Sequence, residues 1–272
     1  MEKEKGCAVL FNVVGGDLDS ESVKMFGDES FSRTFGSQDI VVVLPQFRLG
    51  VLGYFYTGDP KLDANYAMWD LVEALRFVQT NIGAMGGDPG RVTVMGHSSG
   101  AMQADVLSLL PATRGLLQQV LPMSGSAAWC WDQVGAAPKV VADSRELAIR
   151  LNCTNKSSWQ NGAIVVDGAL IPRPFEELIA NRRPYPYLIG TVPQEMQQLE
   201  VMGLQGKSLN ETFDAVGCVC KLAVGADATF KRKRRIQRFC TNHYMRSKIS
   251  DSNSTTVESF LSDTLFFLPT IK

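Results

Sequence analysis

Five residues, Gly96-His97-Ser98-Ser99-Gly100, constrain this chain more than any other part of it. They follow a short β-branched run at 92–95 and precede an apolar stretch that reaches Leu110. The pattern Gly-x-Ser-x-Gly therefore stands where a buried strand gives way to a helix. A serine at such a corner is forced into a strained turn that pushes its hydroxyl out, and the flanking glycines let neighbouring backbone pass without a Cβ clash. The helix that follows offers unpaired N–H groups and a positive field. Ser98 is thus a candidate nucleophile. Its neighbour His97 invites a second reading as an adjacent base. Consecutive side chains on extended backbone point to opposite sides, so the expectation for His97 is a packed, hydrogen-bonded ring under the turn.

The surrounding text predicts an α/β architecture. Residues 8–14 read as a strand ending at Gly15-Gly16, and Ile-Val-Val-Val-Leu at 40–44 reads as a strand buried on both faces. Between 66 and 82 the apolar residues Met68, Leu71, Val72, Leu75, Val78 and Ile82 recur at helical spacing, and Gly83 with Gly86-Gly87 ends the pattern. Residues 119–123 and 187–189 are further strands, so the first two-thirds form a mostly parallel sheet flanked by helices. Beyond Gly203 the text turns helical and polar. Its basic run, Lys231 to Arg235, reads as a solvated helix face rather than a nucleic-acid patch, because the whole chain carries a net charge of only -1.

Cysteine spacing and histidine count argue against a metal site: the six cysteines match no zinc pattern and only two histidines exist. No apolar run of about 18 residues suggests a membrane span. The apolar stretch after Met1-Glu2-Lys3-Glu4-Lys5 is too short for a signal peptide. Asn-x-Ser/Thr sequons at Asn152, Asn155, Asn210 and Asn253 nevertheless favour a secretory ancestor.

The order and spacing of several further segments resemble the type B carboxylesterase and cholinesterase-like family of α/β-hydrolases. They are Asn65-Tyr66, Asp70, Val78-Gln79, Asn81-Ile82, Gly86-Gly87-Asp88-Pro89, Arg91-Val92-Thr93 and the serine turn itself. Upstream, Arg48-Leu49-Gly50-Val51-Leu52-Gly53-Tyr54-Phe55 resembles a family loop; downstream, Met123-Ser124-Gly125-Ser126 and Trp131 resemble the acyl-pocket segment. The likeness is dense from about Val9 to Trp131. It implies a serine esterase acting on small-molecule carboxylic esters, with no cofactor, no metal and no nucleic-acid partner, in the secretory pathway. Oligomeric state is left open.

Residue by residue, the resemblance implies Ser98 as nucleophile and Glu195 as triad acid, although Met196 stands where the family has glycine. Asp167, before Gly168, reads first as a turn residue. Val14-Gly15-Gly16-Asp17 resembles the histidine-plus-three-glycines loop, with Val14 in place of the histidine and Asp17 in place of the last glycine. Backbone N–H groups of Gly16, Asp17 and Ser99 would then form the oxyanion hole, although an aspartate puts a carboxylate near a developing anion and lacks a glycine's freedom. Trp131 would line the acyl side.

The resemblance puts His243 in a surface or packing position and the triad histidine beyond Lys272. Cys153 resembles the first cysteine of a family disulfide whose nearby partner is missing. Between Trp159 and Ile164 a family block is skipped. The expectation is one incomplete α/β-hydrolase domain over 1–272, inactive as written for want of its base. A non-catalytic, cholinesterase-like adhesion domain is the alternative.

Overall fold

The computed structural model describes residues 6–20, 22–25, 27–59, 61, 63–127, 137–150 and 163–191. The chain divides into two compact units, one comprising 1–127 with 132–189, the other 128–131 with 190–272. The sheet and every element described below belong to the first. The four sequons, the basic run, the cysteines other than Cys7 and the skipped junction after Trp159 lie outside the described residues.

Four strands, β1 (Cys7–Val13), β2 (Ile40–Val43), β3 (Gly87–His97) and β4 (Gln119–Met123), form a sheet in the order β2-β1-β3-β4. All three pairings are parallel, with Leu10 opposite both Val42 and Thr93, and Val94 opposite Val120. Parallel pairing needs a crossover between successive strands, which explains why helices separate them. These helices are α1 (Asp28–Thr34), α2 (Gly50–Tyr54), α3 (Tyr66–Asn81) and α4 (Ser99–Leu109). Two more, α5 (Ala137–Arg150) and α6 (Phe175–Ala180), follow the sheet strands.

Alternation along β1 buries Val9, Phe11 and Val13; on β3, Val92 and Val94 stand opposite Val9 and Phe11 and are buried too, as is Val120 of β4 opposite Val94. Helix α3 contributes Ala67, Met68, Leu71, Val72, Leu75 and Val78, all fully buried as their spacing predicts. Each of these Val, Leu and Met side chains stabilises the fold by about 1.5–3 kcal/mol on transfer from water. Helix α4 differs: its described side chains from Ala101 to Leu109 are all buried, polar ones included. It is the interior helix of the unit.

The strand expected at 187–189 is reduced to one bridge. Tyr187 pairs with Val120, and Val120 N–H donates to Pro186 O while Leu188 N–H donates to Val120 O. Pro184 and Pro186 have no N–H to give, so the ladder does not extend backwards. β3 starts earlier than its apolar run suggests, because Cys7 pairs with Gly87 across a register shift.

Polar contacts fix the connections. The Asn65 side chain acts as a backbone surrogate: Nδ2 donates to Val165 O (2.9 Å) and Oδ1 accepts from Val165 N–H (2.8 Å). Near α4's C-terminal end, buried Asp105 accepts from Ala127 N–H (2.7 Å), from Arg182 Nη2 (3.0 Å) and from Tyr187 Oη (3.1 Å). The Arg182 guanidinium lies over the Tyr187 ring, 4.8 Å from its centroid. Desolvation, reinforced by the Asp105 carboxylate, raises the Tyr187 pKa far above the ordinary phenol value. One carboxylate thus ties α4 to the chain after β4 and to the segment that adds the Tyr187 bridge. Asp105→Ala leaves a half-buried guanidinium and a buried N–H without their acceptor, and should lower unfolding free energy by about 2–3 kcal/mol. Urea denaturation of the two proteins measures this; a loss near that of an ordinary surface substitution refutes the account.

On α3, Asp70 accepts from Arg48 through the Nη2 (2.6 Å), Nε (2.8 Å) and backbone N–H (2.9 Å) groups. Burial alone would raise the Asp70 pKa, but the hydrogen bonds and charge of Arg48 outweigh it and hold the carboxyl below its ordinary value. A depressed folded-state pKa gives stability that is complete above the unfolded carboxylate pKa and is lost as pH falls through the folded value. Asp70→Asn should therefore be destabilising at pH 7, with the difference from the parent shrinking steadily below about pH 4. Thermal melts across that range test the sign.

Candidate active site

β3 ends at His97 and α4 begins at Ser99, so Ser98 alone makes the turn. Its backbone takes φ 56° and ψ −125°, a region that L side chains rarely adopt. Both backbone groups are pinned: Ser98 N–H donates to Met123 O (3.0 Å), and Ser98 O accepts from Met102 N–H (3.1 Å). The serine is half-buried at the start of the helix.

Absent side chains make this turn possible. A methyl group on Gly96 would sit 2.2 Å from the carbonyl oxygen of Gly100, and one on Gly100 2.3 Å from that of Val13. A methyl on Gly15 would lie 2.5 Å from His97 O and 3.5 Å from Ser98 Cβ, while one on Gly125 would lie 2.5 Å from Ser98 O. The 96/100 pair bears out the reason given for the motif's glycines. Gly15 and Gly125 are additional: two loops, after β1 and after β4, press bare backbone against the serine turn. The segment from Met123 to Ser126, read above as acyl-pocket sequence, also braces the nucleophile. A glycine two residues past a strand end was the only sign of it.

The loop after β1 reaches Ser98 through Gly15 and continues with positive φ at Gly16 (106°), Asp17 (56°) and Leu18 (67°). Asp17 thus occupies the glycine-like conformation that its side chain was expected to hinder. Aspartate visits this region more readily than most residues, and the run is held because Asp19 N–H (3.0 Å) and Ser20 N–H (3.2 Å) both donate to Gly16 O. Partial burial, then the nearby Asp19 carboxylate, raise the Asp17 pKa. Among the described residues, the N–H groups of Gly16, Asp17 and Ser99 have no hydrogen-bond partner. Backbone N–H groups free of an internal acceptor are able to donate to an oxyanion of the kind that forms on a carbonyl oxygen when a hydroxyl attacks it.

His97 departs from expectation. It is exposed, so it is neither packed nor buried beneath the turn. The cause is local: β3 closes with Gly96 facing α4, which turns the next side chain outward. Asp167 behaves as a turn residue, with Oδ1 accepting from Ala169 N–H (3.0 Å) and Ile171 N–H (2.9 Å) and Oδ2 from Asn65 Nδ2 (2.9 Å). Glu195, Trp131 and His243 lie outside the described residues. Among the described residues no cluster of three or more His, Cys, Asp or Glu could hold a metal ion, and no helix is long and apolar enough to cross a membrane.

A parallel sheet carrying a strained serine between strand and helix defines an α/β-hydrolase. Residues 1–162 match the carboxylesterase family, and the chain belongs to it. Gut esterase 1 of Caenorhabditis briggsae is 32% identical over 228 residues, covering 74% of this chain and 40% of that protein. Liver carboxylesterase 1 of Oryctolagus cuniculus is 30% identical over 209 residues, covering 64% and 37%. A solved carboxylesterase of Geobacillus stearothermophilus shares the fold, with TM-score 0.69 and 22% identity over 99% of this chain and 59% of its own. The chain therefore spans about two-fifths of the length of these curated relatives.

The strain at Ser98 gives a direct stability test. A residue held in a sparsely populated backbone region costs about 1–3 kcal/mol, and glycine largely escapes it. Ser98→Gly should raise unfolding free energy by roughly 1 kcal/mol or more, whereas Gly96→Ala should lower it by several. Equilibrium unfolding of both variants checks the pair; a destabilised Ser98→Gly would contradict the strained turn.

Proposed function

We propose that this chain carries the nucleophilic half of a carboxylic ester hydrolase that works through a serine acyl-enzyme on small-molecule esters. Ser98 Oγ attacks the ester carbonyl as its proton passes to a histidine, and the N–H groups of Gly16, Asp17 and Ser99 hold the tetrahedral oxyanion. Collapse expels the alcohol, and water then attacks the acyl-serine to release the acid. Glu195 orients the histidine, and Trp131 lines the acyl side. Acyl transfer of this kind uses no cofactor. Family membership and the sequons support passage through the secretory pathway with glycosylation, expectations that rest on sequence alone.

The observation that carries this reading is the conformation of Ser98 itself. A chain that had become a purely adhesive domain would gain nothing from keeping a serine at positive φ, about 1–3 kcal/mol above a relaxed residue. Positive φ alone does not carry the reading, since Asp17 and Leu18 share it; what supports it is that the strain falls on a serine standing alone between strand and helix. The carboxylate of Asp17 in the donor loop disfavours a developing anion, so oxyanion stabilisation is expected to be weaker than three glycines would give.

The proton acceptor limits the rate. The chain has two histidines; His97 adjoins Ser98 but is directed to solvent, and His243 lies among residues not described. A triad serine without its base loses about 10⁶ in kcat. Hydrolysis of p-nitrophenyl butyrate by the 272-residue chain should accordingly be close to that of Ser98→Ala. Added imidazole, as an external base, should then accelerate the parent and its fluorophosphonate labelling well beyond the imidazole background seen with Ser98→Ala. Equal rescue of the two proteins would sink Ser98 as nucleophile; fast Ser98-dependent turnover without imidazole would instead show that the chain already has its base.

A further inference from the structure

Helix α2 lies between the two backbone segments that meet at Ser98. Its first residue, Gly50, donates its N–H to Leu18 O (2.8 Å), in the donor loop. Gly50 has φ 53°, and a methyl group there would stand 2.6 Å from Asp19 Oδ1, so that loop lies directly on the helix start. The last residue of α2, Tyr54, is fully buried and donates from Oη to Gln103 Oε1 (2.9 Å). Gln103 sits on α4, one turn beyond Ser99, and is also fully buried. Its Nε2 has no partner among the described residues, so the amide is oriented by the single bond from Tyr54. Desolvation keeps the Tyr54 phenol un-ionised by raising its pKa far above the ordinary value, so the hydroxyl remains a donor.

α2 is itself held from behind. A methyl on Gly53 would lie 2.4 Å from Arg48 O and 3.0 Å from Ala67 Cβ, which places α2 tightly on α3. Arg48, just before α2, is the residue locked by Asp70 of α3. One short helix is thus anchored on the core and grips the donor loop at one end and the nucleophile helix at the other.

We infer that the Tyr54–Gln103 hydrogen bond is a positioning clamp: through α2 it fixes the donor loop around Gly16 and Asp17 relative to Ser98. Tyr54 and Gln103 are positioning residues and touch no substrate. The inference deepens the ester-hydrolase reading of the same site and rests on it for its catalytic meaning, while the mechanical coupling stands apart from the chemistry.

The test is amide hydrogen exchange on the full chain, resolved at Gly50 (bonded to Leu18), Ser98 (bonded to Met123) and Trp69 (bonded to Asn65). Tyr54→Phe removes one hydroxyl and keeps the ring. Protection should fall together at Gly50 and Ser98, by about tenfold, the loss of one net buried hydrogen bond, and stay unchanged at Trp69 on α3. Tyr54→Phe with Gln103→Leu replaces both polar partners by apolar groups and should recover global stability. A clamp predicts that the paired loss of protection, and slower imidazole-assisted fluorophosphonate labelling, persist in that double variant. If protection returns with stability, or falls at only one of the two sites, the clamp is refuted. Paired loss of protection in a chain that takes no label at all refutes the hydrolase reading and keeps the coupling.

Discussion

The structure depends on close backbone approach around one residue. Four glycines, at 15, 96, 100 and 125, permit contacts that any Cβ would block, and between them Ser98 takes a backbone conformation it would not choose alone. Van der Waals repulsion at 2.2–2.5 Å is steep, so these contacts cannot be relaxed by small shifts of side chains. The strained turn is therefore over-determined by its neighbours. Three strand ends, those of β1, β3 and β4, converge there because parallel strands place their carboxyl ends on one side of the sheet.

Around this point the fold spends its polar groups on holding connections rather than on the sheet. Asp70 holds the chain before α2, Asn65 and Asp167 hold the chain around Val165, and Asp105 holds the chain after β4 and the Tyr187 bridge. Each buried or half-buried carboxylate receives several donors, so its oxygens keep hydrogen-bond partners on leaving water. Two of the three act on segments that lead into the site. Stability and site geometry consequently share the same residues, and the α2 clamp is one expression of that sharing.

Much of this was legible in the residues. The helical spacing from Met68 to Val78 and the Gly-x-Ser-x-Gly turn each report a local constraint and took the structure expected. The run at 40–44, read as a strand buried on both faces, instead forms the half-buried edge strand Ile40–Val43, because among the described residues only β1 pairs with it. The strand at 187–189 was over-read, since its apolar residues are flanked by prolines that cannot extend a ladder, and Leu188 is exposed. His97 was misjudged because a ring beside a buried turn suggests packing, whereas orientation depends on which side of β3 meets α4. Gly125 and the Tyr54–Gln103 pair could not have been found from spacing: 49 residues separate the two partners of that bond.

The sequence by itself determined the main strands of the sheet, the helix over 66–81, the sharp turn at 96–100 and which serine occupies it. These follow from side-chain periodicity and from glycine's missing Cβ, properties that act over a few residues. Only the tertiary structure decided which distant loops press on that serine, which carboxylate meets which cation, and that Asp17 can take a glycine's backbone angles. Those outcomes depend on strand order and on neighbours far away in the chain. Their energies arise from close packing and desolvation, and neither exists until the sheet has assembled.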